Sequence, residues 1–111
     1  MARRTLCYSL TGFDVSTAVL TGLWGIDNVG SVSLNGNILS SLPNVITNNF
    51  NVLHAFSAGP GSSAFVAGLN VLSYNVENRG GPGAFRTSVQ VNANPIPEPS
   101  AFALFLSAII A

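Results

Sequence analysis

The residues best suited to bind a ligand lie close together in the chain, at Trp24, Asp27 and Asn28. A Trp ring can stack on a sugar ring, and the Asp and Asn side chains can bind a sugar hydroxyl or help to hold a cation. Two alternatives stay open, because the phase of Trp24 also fits a core position and Asp-Asn pairs often bond to neighbouring backbone in turns. We predict all three as candidate ligand-binding residues.

Two arginines supply a second kind of chemistry. Arg79 and Arg86 flank the glycine-rich segment 80–83, and a guanidinium group can clamp a carboxylate or a sugar hydroxyl. Solvated surface arginines are the alternative. We add Arg79 to the candidate ligand-binding residues.

The sequence offers no recognisable catalytic, cofactor or metal site. His54 is the only histidine, so it has no obvious partner for a metal ion. Glu77 has no second carboxylate near it in sequence for acid-base work, and Cys7 has no evident base to activate its thiol. We expect Cys7 to be a small buried residue. We therefore predict a protein that is not an enzyme, with no cofactor, no metal ligand and no catalytic residue.

Composition limits the class of partner. Only 7% of the residues are charged, the formal net charge is zero, and lysine is absent. A nucleic-acid-binding surface needs a basic patch, because neutralising phosphates supplies most of the affinity. We predict no nucleic-acid partner.

Short apolar runs alternate with Gly, Asn, Pro and Ser punctuation, a pattern typical of all-β proteins. About six strands are expected, each with one apolar face, and two packed sheets would make an antiparallel β-sandwich. Residues 37–49 are predicted as a polar loop, residues 50–56 as a strand, and no helix is expected before Ser100. Residues 18, 20, 24 and 26 share a predicted inward face, and Gly22 and Gly25 indicate a bulge or a close backbone approach. Asn35-Gly36 predicts a hairpin turn.

The C-terminal residues have a different organisation. Prolines make residues 94–100 a stiff extended linker, and residues 101–111 form an uncharged apolar segment that we predict to be a short helix. At about 1.5 Å per residue that helix would reach about 17 Å, against a hydrocarbon core of about 30 Å.

The triplet Pro97-Glu98-Pro99 before an apolar segment resembles the PEP-CTERM sorting signal of Gram-negative bacteria. The resemblance implies envelope sorting and processing machinery as partner, transient membrane contact through the C-terminal segment, and a secreted or cell-surface location reached via the inner membrane. The basic cluster that ends such signals has no counterpart here. We therefore expect residues 101–111 to be a truncated sorting segment.

Three further stretches resemble the galactose-binding-like jelly-roll, a sugar-binding or accessory module of extracellular bacterial proteins. They are residues 21–28 with 33–36, residues 65–72 and residues 76–78, which carry Trp-x-x-Asp-Asn, Leu-Asn-Gly, Gly-x-Asn-x-Leu and Val-Glu-Asn. The match covers roughly residues 4–93, and the first strands of that family have no counterpart. The expected domains are a partial β-sandwich at 1–93, the linker at 94–100 and the sorting segment at 101–111.

Three functions remain open at this level. The first is a non-enzymatic structural, adhesive or carbohydrate-binding module of an exported protein, with extracellular polysaccharide as its partner. The second is an accessory domain of a glycan-active enzyme whose catalytic domain would lie upstream. The third is a periplasmic or cytosolic β-protein with an accidental apolar tail. Because Thr5–Gly12 is too short and too polar for a signal-peptide core, we expect the sequence to lack its natural N-terminus.

Overall fold

The computed structural model describes residues 2–43, 48–77 and 84–97, and this part of the chain is mostly β-structure. The strands are β1 (Ala2–Ser9), β2 (Val19–Asp27), β3 (Val29–Leu34), β4 (Asn37–Leu42), β5 (His54–Ala58), β6 (Leu69–Glu77) and β7 (Ala84–Asn92). A 3-10 turn at Val15–Thr17 precedes β2, and a one-turn helix, α1 (Asn48–Asn51), precedes β5. The expectation of a mostly β fold is confirmed.

The strands form two antiparallel sheets. The larger has the order β1-β6-β3-β4, and the smaller has the order β5-β2-β7. Buried residues from both sheets, among them Leu20 and Trp24 of β2 and Leu72 and Tyr74 of β6, belong to one core cluster. The described residues therefore have the β-sandwich-like character that the alternating apolar faces predict.

Tyr74 lies at the centre of the contact between the sheets. Its ring centroid is 6.0 Å from that of Trp24 in β2, 6.1 Å from that of Phe56 in β5 and 5.0 Å from that of Phe85 in β7. The contacts with Phe56 and Phe85 are edge-to-face, an arrangement that aromatic quadrupoles favour. One residue of the larger sheet thus packs against an aromatic ring from every strand of the smaller sheet.

Strand β2 follows the predicted alternation. Ala18, Leu20, Trp24 and Ile26 are fully buried, which confirms their shared inward face. Gly22 has the same phase, and a Cβ there would overlap the ring of Phe56, its cross-strand partner. At this glycine the close contact is with an aromatic side chain and not with the backbone that the prediction named, and the ring fills the space that a Cβ would need.

The predicted Asn35-Gly36 turn joins β3 to β4, with φ of 50° at Asn35 and 84° at Gly36. The prediction of a loop over residues 37–49 is wrong at its start, because β4 begins at Asn37. Its polar residues fit there because β4 is an edge strand of its sheet, so that only part of it has to be buried.

The prediction of a strand over residues 50–56 is also wrong in its first half. Residues 48–51 form α1, and β5 begins only at His54. The expectation of no helix before Ser100 fails for the same reason. Asn49 explains the local conformation: it is 2% exposed, and its side-chain amide donates to the carbonyl oxygens of Asn28 and Pro43. Cys7, expected to be buried, is exposed on the edge strand β1.

The linker that follows β7 packs against the turn after β1. The Asp14 amide donates to the Asn94 carbonyl over 2.7 Å, and the Ile96 amide donates to the Gly12 carbonyl over 2.8 Å. Pro97 is the last residue described, so Glu98, Pro99 and the predicted helix at 101–111 lie outside the described residues. Within the described ranges, no helix is long and apolar enough to cross a bilayer.

Candidate functional site

Trp24 lies in the core rather than on a surface. Its side chain is fully buried, its indole N–H donates to the Ser40 hydroxyl over 3.0 Å, and its ring packs against Tyr74. This placement agrees with the core alternative, and it leaves no ring face open to a sugar.

Asp27 and Asn28 lie at the end of β2, and both are half-buried. The Asn28 amide donates to the Glu77 carbonyl over 3.0 Å, and the Asn28 carbonyl accepts from the Asn49 side chain over 2.6 Å. The backbone of Asn28 therefore joins β2 to β6 and to α1. Asp27 has the opposite phase to Trp24 along the strand, so the structure does not bring these two side chains together. Arg79 lies outside the described residues.

The outer face of the smaller sheet carries a shallow cleft of about 380 Å³. The side chains on this face come from all three strands: Thr21 and Leu23 of β2, Ala55 and Ser57 of β5, and Ser88 and Gln90 of β7. Leu23 is 43% exposed at its floor. The cleft thus combines one aliphatic contact surface with a rim of hydroxyl and amide groups, none of them charged.

A smaller pocket of about 60 Å³ adjoins this face where α1 lies against β2. Gly25 makes the approach possible, because a Cβ there would lie 3.3 Å from the Asn49 carbonyl oxygen and 3.4 Å from a methyl group of Leu53. The pocket is lined by Gly25, Phe50, Asn51, Val52, Leu53, Phe85 and Arg86. It therefore places an exposed apolar surface beside a guanidinium group.

Two other cavities lie away from this face. One of about 200 Å³ on the larger sheet is lined by Gly30, Ser41, Asn75, Glu77 and their neighbours. The other, of about 170 Å³, lies between β1 and β7, with Tyr8, Phe13 and Val91 in its wall. Burial raises the pKa of Tyr8 to about 12, because the charged phenolate is disfavoured away from water.

The described side chains suit non-covalent binding. Within residues 2–43, 48–77 and 84–97, no group of three or more His, Cys, Asp or Glu side chains could hold a metal ion. Hydroxyl, amide and guanidinium groups on the smaller sheet can donate and accept hydrogen bonds to a polar ligand. The surface with the best defined chemistry is therefore the outer face of β5-β2-β7.

Sequence reasoning did not find this surface as a site. The alternation of apolar and polar residues over residues 84–91 does predict that Arg86, Ser88 and Gln90 share one face of a strand. The pairing of β7 with β2 confirms this shared face. What the sequence could not give is the order β5-β2-β7, which sets residues from distant parts of the chain side by side.

The geometry defines an antiparallel, β-sandwich-like protein with a polar cleft on one outer face. Comparisons with protein families, with curated proteins and with solved structures give no match for this chain.

Proposed function

We propose that this chain is a non-catalytic β-sandwich module of an exported protein and that the outer face of β5-β2-β7 binds polysaccharide. The supporting observation is the cleft of about 380 Å³ with its uncharged rim and aliphatic floor. Polyhydroxyl ligands require several short donors and acceptors together with an apolar surface for their C–H faces. Ser57, Ser88 and Gln90 supply the former, and Leu23 supplies the latter.

The finer identity of the fold belongs to the same proposal. We assign the two sheets to a galactose-binding-like jelly-roll. The support is that two of the stretches that carry the resemblance meet in space, through a hydrogen bond between Asn35 and Asn70. In the same proposal, residues 94–111, with Pro97-Glu98-Pro99, act as a PEP-CTERM-like signal that directs the protein to the envelope of a Gram-negative bacterium.

Binding is tested by affinity electrophoresis of the chain in gels that contain single neutral or acidic polysaccharides. We expect retardation by at least one polymer, and a loss of about tenfold in affinity in the double variant Ser57→Ala/Gln90→Ala, since each lost hydrogen bond is worth about 0.5–1.5 kcal/mol. Ser41→Ala, on the outer face of the larger sheet, is the matched control and should bind normally. The binding proposal would be overturned if no polymer retarded the protein, or if the double variant bound with the same affinity as the wild type.

Sorting is tested with a secreted reporter that carries residues 94–111 at its C-terminus, in a Gram-negative host that has the sorting machinery. The segment is extended by about ten apolar residues and a basic end, so that it is long enough to cross the hydrocarbon core. We expect release from the inner membrane, and retention when Pro97, Glu98 and Pro99 are all changed to Ala. Pro95→Ala is the control. Equal fractionation of all three reporters would contradict the sorting role.

A further inference from the structure

The pocket beside α1 places an exposed aromatic ring next to the guanidinium group of Arg86. Phe50 is 49% exposed and Leu53 is 40% exposed, and both line the pocket together with Arg86. Strand register fixes Arg86 there, because it pairs with Gly25, the residue against which α1 packs. The position of the guanidinium group is therefore set by a sheet and not by a loop.

Arg86 has no partner among the described residues. Its side chain is exposed, and it makes no hydrogen bond or ion pair within the described ranges. Asp27 is the charged residue closest to it in register on this face, one diagonal step away, since Asp27 pairs with Ala84. Asp27 lines neither the pocket nor the cleft. In a chain with only 7% charged residues, Arg86 is the cation that lines the pocket, and a cation at a binding site favours an anionic group on the ligand.

The pocket and the cleft lie next to each other along β7, since Arg86 lines the first and Ser88 and Gln90 line the second. Arg86, Ser88 and Gln90 occupy alternate positions on the outer face of the strand, so the row spans about 13 Å at about 3.3 Å per residue. A polymer lying in the cleft along β7 would pass from the hydroxyl and amide groups to the guanidinium group. The two surfaces can therefore be filled by one extended ligand.

We propose that this face binds an acidic polysaccharide whose sugars carry carboxylates, an inference that rests on the proposed function. The carboxylate of one uronate residue binds Arg86 through the paired N–H groups of the guanidinium fork. The C–H face of the same sugar packs on Phe50, and neighbouring sugars bind Ser88 and Gln90. The two parallel N–H groups of the fork match the two oxygens of a planar carboxylate, so we take uronates as the expected class.

The test compares polygalacturonate with its methyl ester, which has the same backbone and no charge, by calorimetry on the whole chain. We expect the acid to bind at least about tenfold more tightly than the ester at low salt, and the difference to shrink as salt rises. Arg86→Gln should remove the difference, Arg86→Lys should restore part of it, and Phe50→Ala should weaken both polymers. Arg4→Gln, on strand β1, is the matched control and should change neither affinity.

The outcomes separate this inference from the proposed function. Equal affinity for acid and ester, with loss of both in Ser57→Ala/Gln90→Ala, would overturn the carboxylate preference and leave polysaccharide binding intact. Binding of dextran sulfate as tightly as polygalacturonate, unaffected by Arg86→Gln, would also overturn it. No binding of any polymer would remove both proposals.

Discussion

The side-chain nitrogen of Asn35 donates to the side-chain oxygen of Asn70 over 2.8 Å, and this bond joins the β3–β4 turn to the start of β6. Asn70 is fully buried, and its amide also bonds to the backbone of Val66 and Gly68. Asn35 bonds to Val71 through both its backbone amide and its side-chain oxygen. The pair thus holds the β3–β4 hairpin against the start of β6 and the loop before it.

Removing Asn70 should be strongly destabilising. Asn70→Ala would remove the side-chain bonds to the Val66 amide and carbonyl, to the Gly68 carbonyl and to the Asn35 side chain. Each lost bond is worth about 0.5–1.5 kcal/mol. We expect the free energy of unfolding in urea to fall by about 3 kcal/mol. A fall of less than about 1 kcal/mol would mean that water replaces these bonds.

Asn35→Gly removes the side-chain hydrogen bonds and keeps the backbone conformation, because glycine adopts the φ of 50° at this position without strain. A double-mutant cycle with Asn70→Ala should give a coupling energy of about 1–2 kcal/mol. Additive losses would show that the two asparagines act independently.

Among the glycines of the described ranges, Gly30 is the one least able to accept a side chain, because the nearest atom is backbone. A Cβ there would overlap the Asn75 carbonyl oxygen on the neighbouring strand and a methyl group of Ile26. Because the Asn75 carbonyl belongs to the paired strand β6, we expect Gly30→Ala to lower the free energy of unfolding by about 2–4 kcal/mol or to prevent folding.

Gly59→Ala is the matched control for this prediction, since a Cβ at Gly59 meets nothing within 4 Å. It should leave the free energy of unfolding within about 0.5 kcal/mol of the wild-type value. Equal stability of the Gly30 and Gly59 variants would contradict the packing argument.

Residue patterns predicted the strands that have one buried face and one exposed face. They failed for segments whose secondary structure depends on contacts with residues far away in the sequence. Alternation located β2 and β7 because their inward residues face one continuous core. It missed β4, whose polar residues occupy a sheet edge. It missed α1, whose buried Asn49 bonds to backbone atoms elsewhere in the chain.

The binding face could not be predicted from the sequence, because it also depends on contacts between distant segments. Each of its strands contributes ordinary residues such as Ser57, Ser88 and Leu23, and only the pairing of three separated strands makes a cleft. The Trp24-x-x-Asp27 spacing was readable in the sequence, but opposite strand phases send the two side chains to different environments.

The fluorescence of Trp24 should report the unfolding of the core. It is the only tryptophan, it is fully buried, and its indole N–H bonds to Ser40. We expect blue-shifted fluorescence in the native state and a red shift on unfolding. Ser40→Ala should leave the indole N–H unsatisfied and lower the free energy of unfolding by about 1–2 kcal/mol. Ser41→Ala, at an exposed position next to it, should have no effect, and equal losses in both variants would contradict the assignment of the bond.

The hydroxyl of Tyr8 is a buried polar atom with no hydrogen-bond partner in the part of the chain that the structure describes. Tyr8→Phe removes this unsatisfied group and keeps the ring, so we expect the free energy of unfolding at pH 7 to rise by up to about 1 kcal/mol. Tyr74→Phe is the contrasting control. The Tyr74 hydroxyl lies 2.6 Å from the Thr87 hydroxyl, and its loss should lower stability by about 1 kcal/mol.

Alkaline pH gives a second readout of Tyr8. Burial raises the pKa of Tyr8 from 10.0 in the unfolded chain to about 12 in the folded chain. Proton release from Tyr8 therefore leaves the free energy of unfolding unchanged below pH 10. It lowers that free energy as the pH rises from 10 to 12, because only the unfolded chain releases the proton there. Burial also raises the pKa of Tyr74, so urea melts at stepped pH should show a smaller alkaline loss in Tyr8→Phe than in the wild type, with some loss remaining. Identical pH dependence in the two proteins would mean that the Tyr8 hydroxyl reaches water.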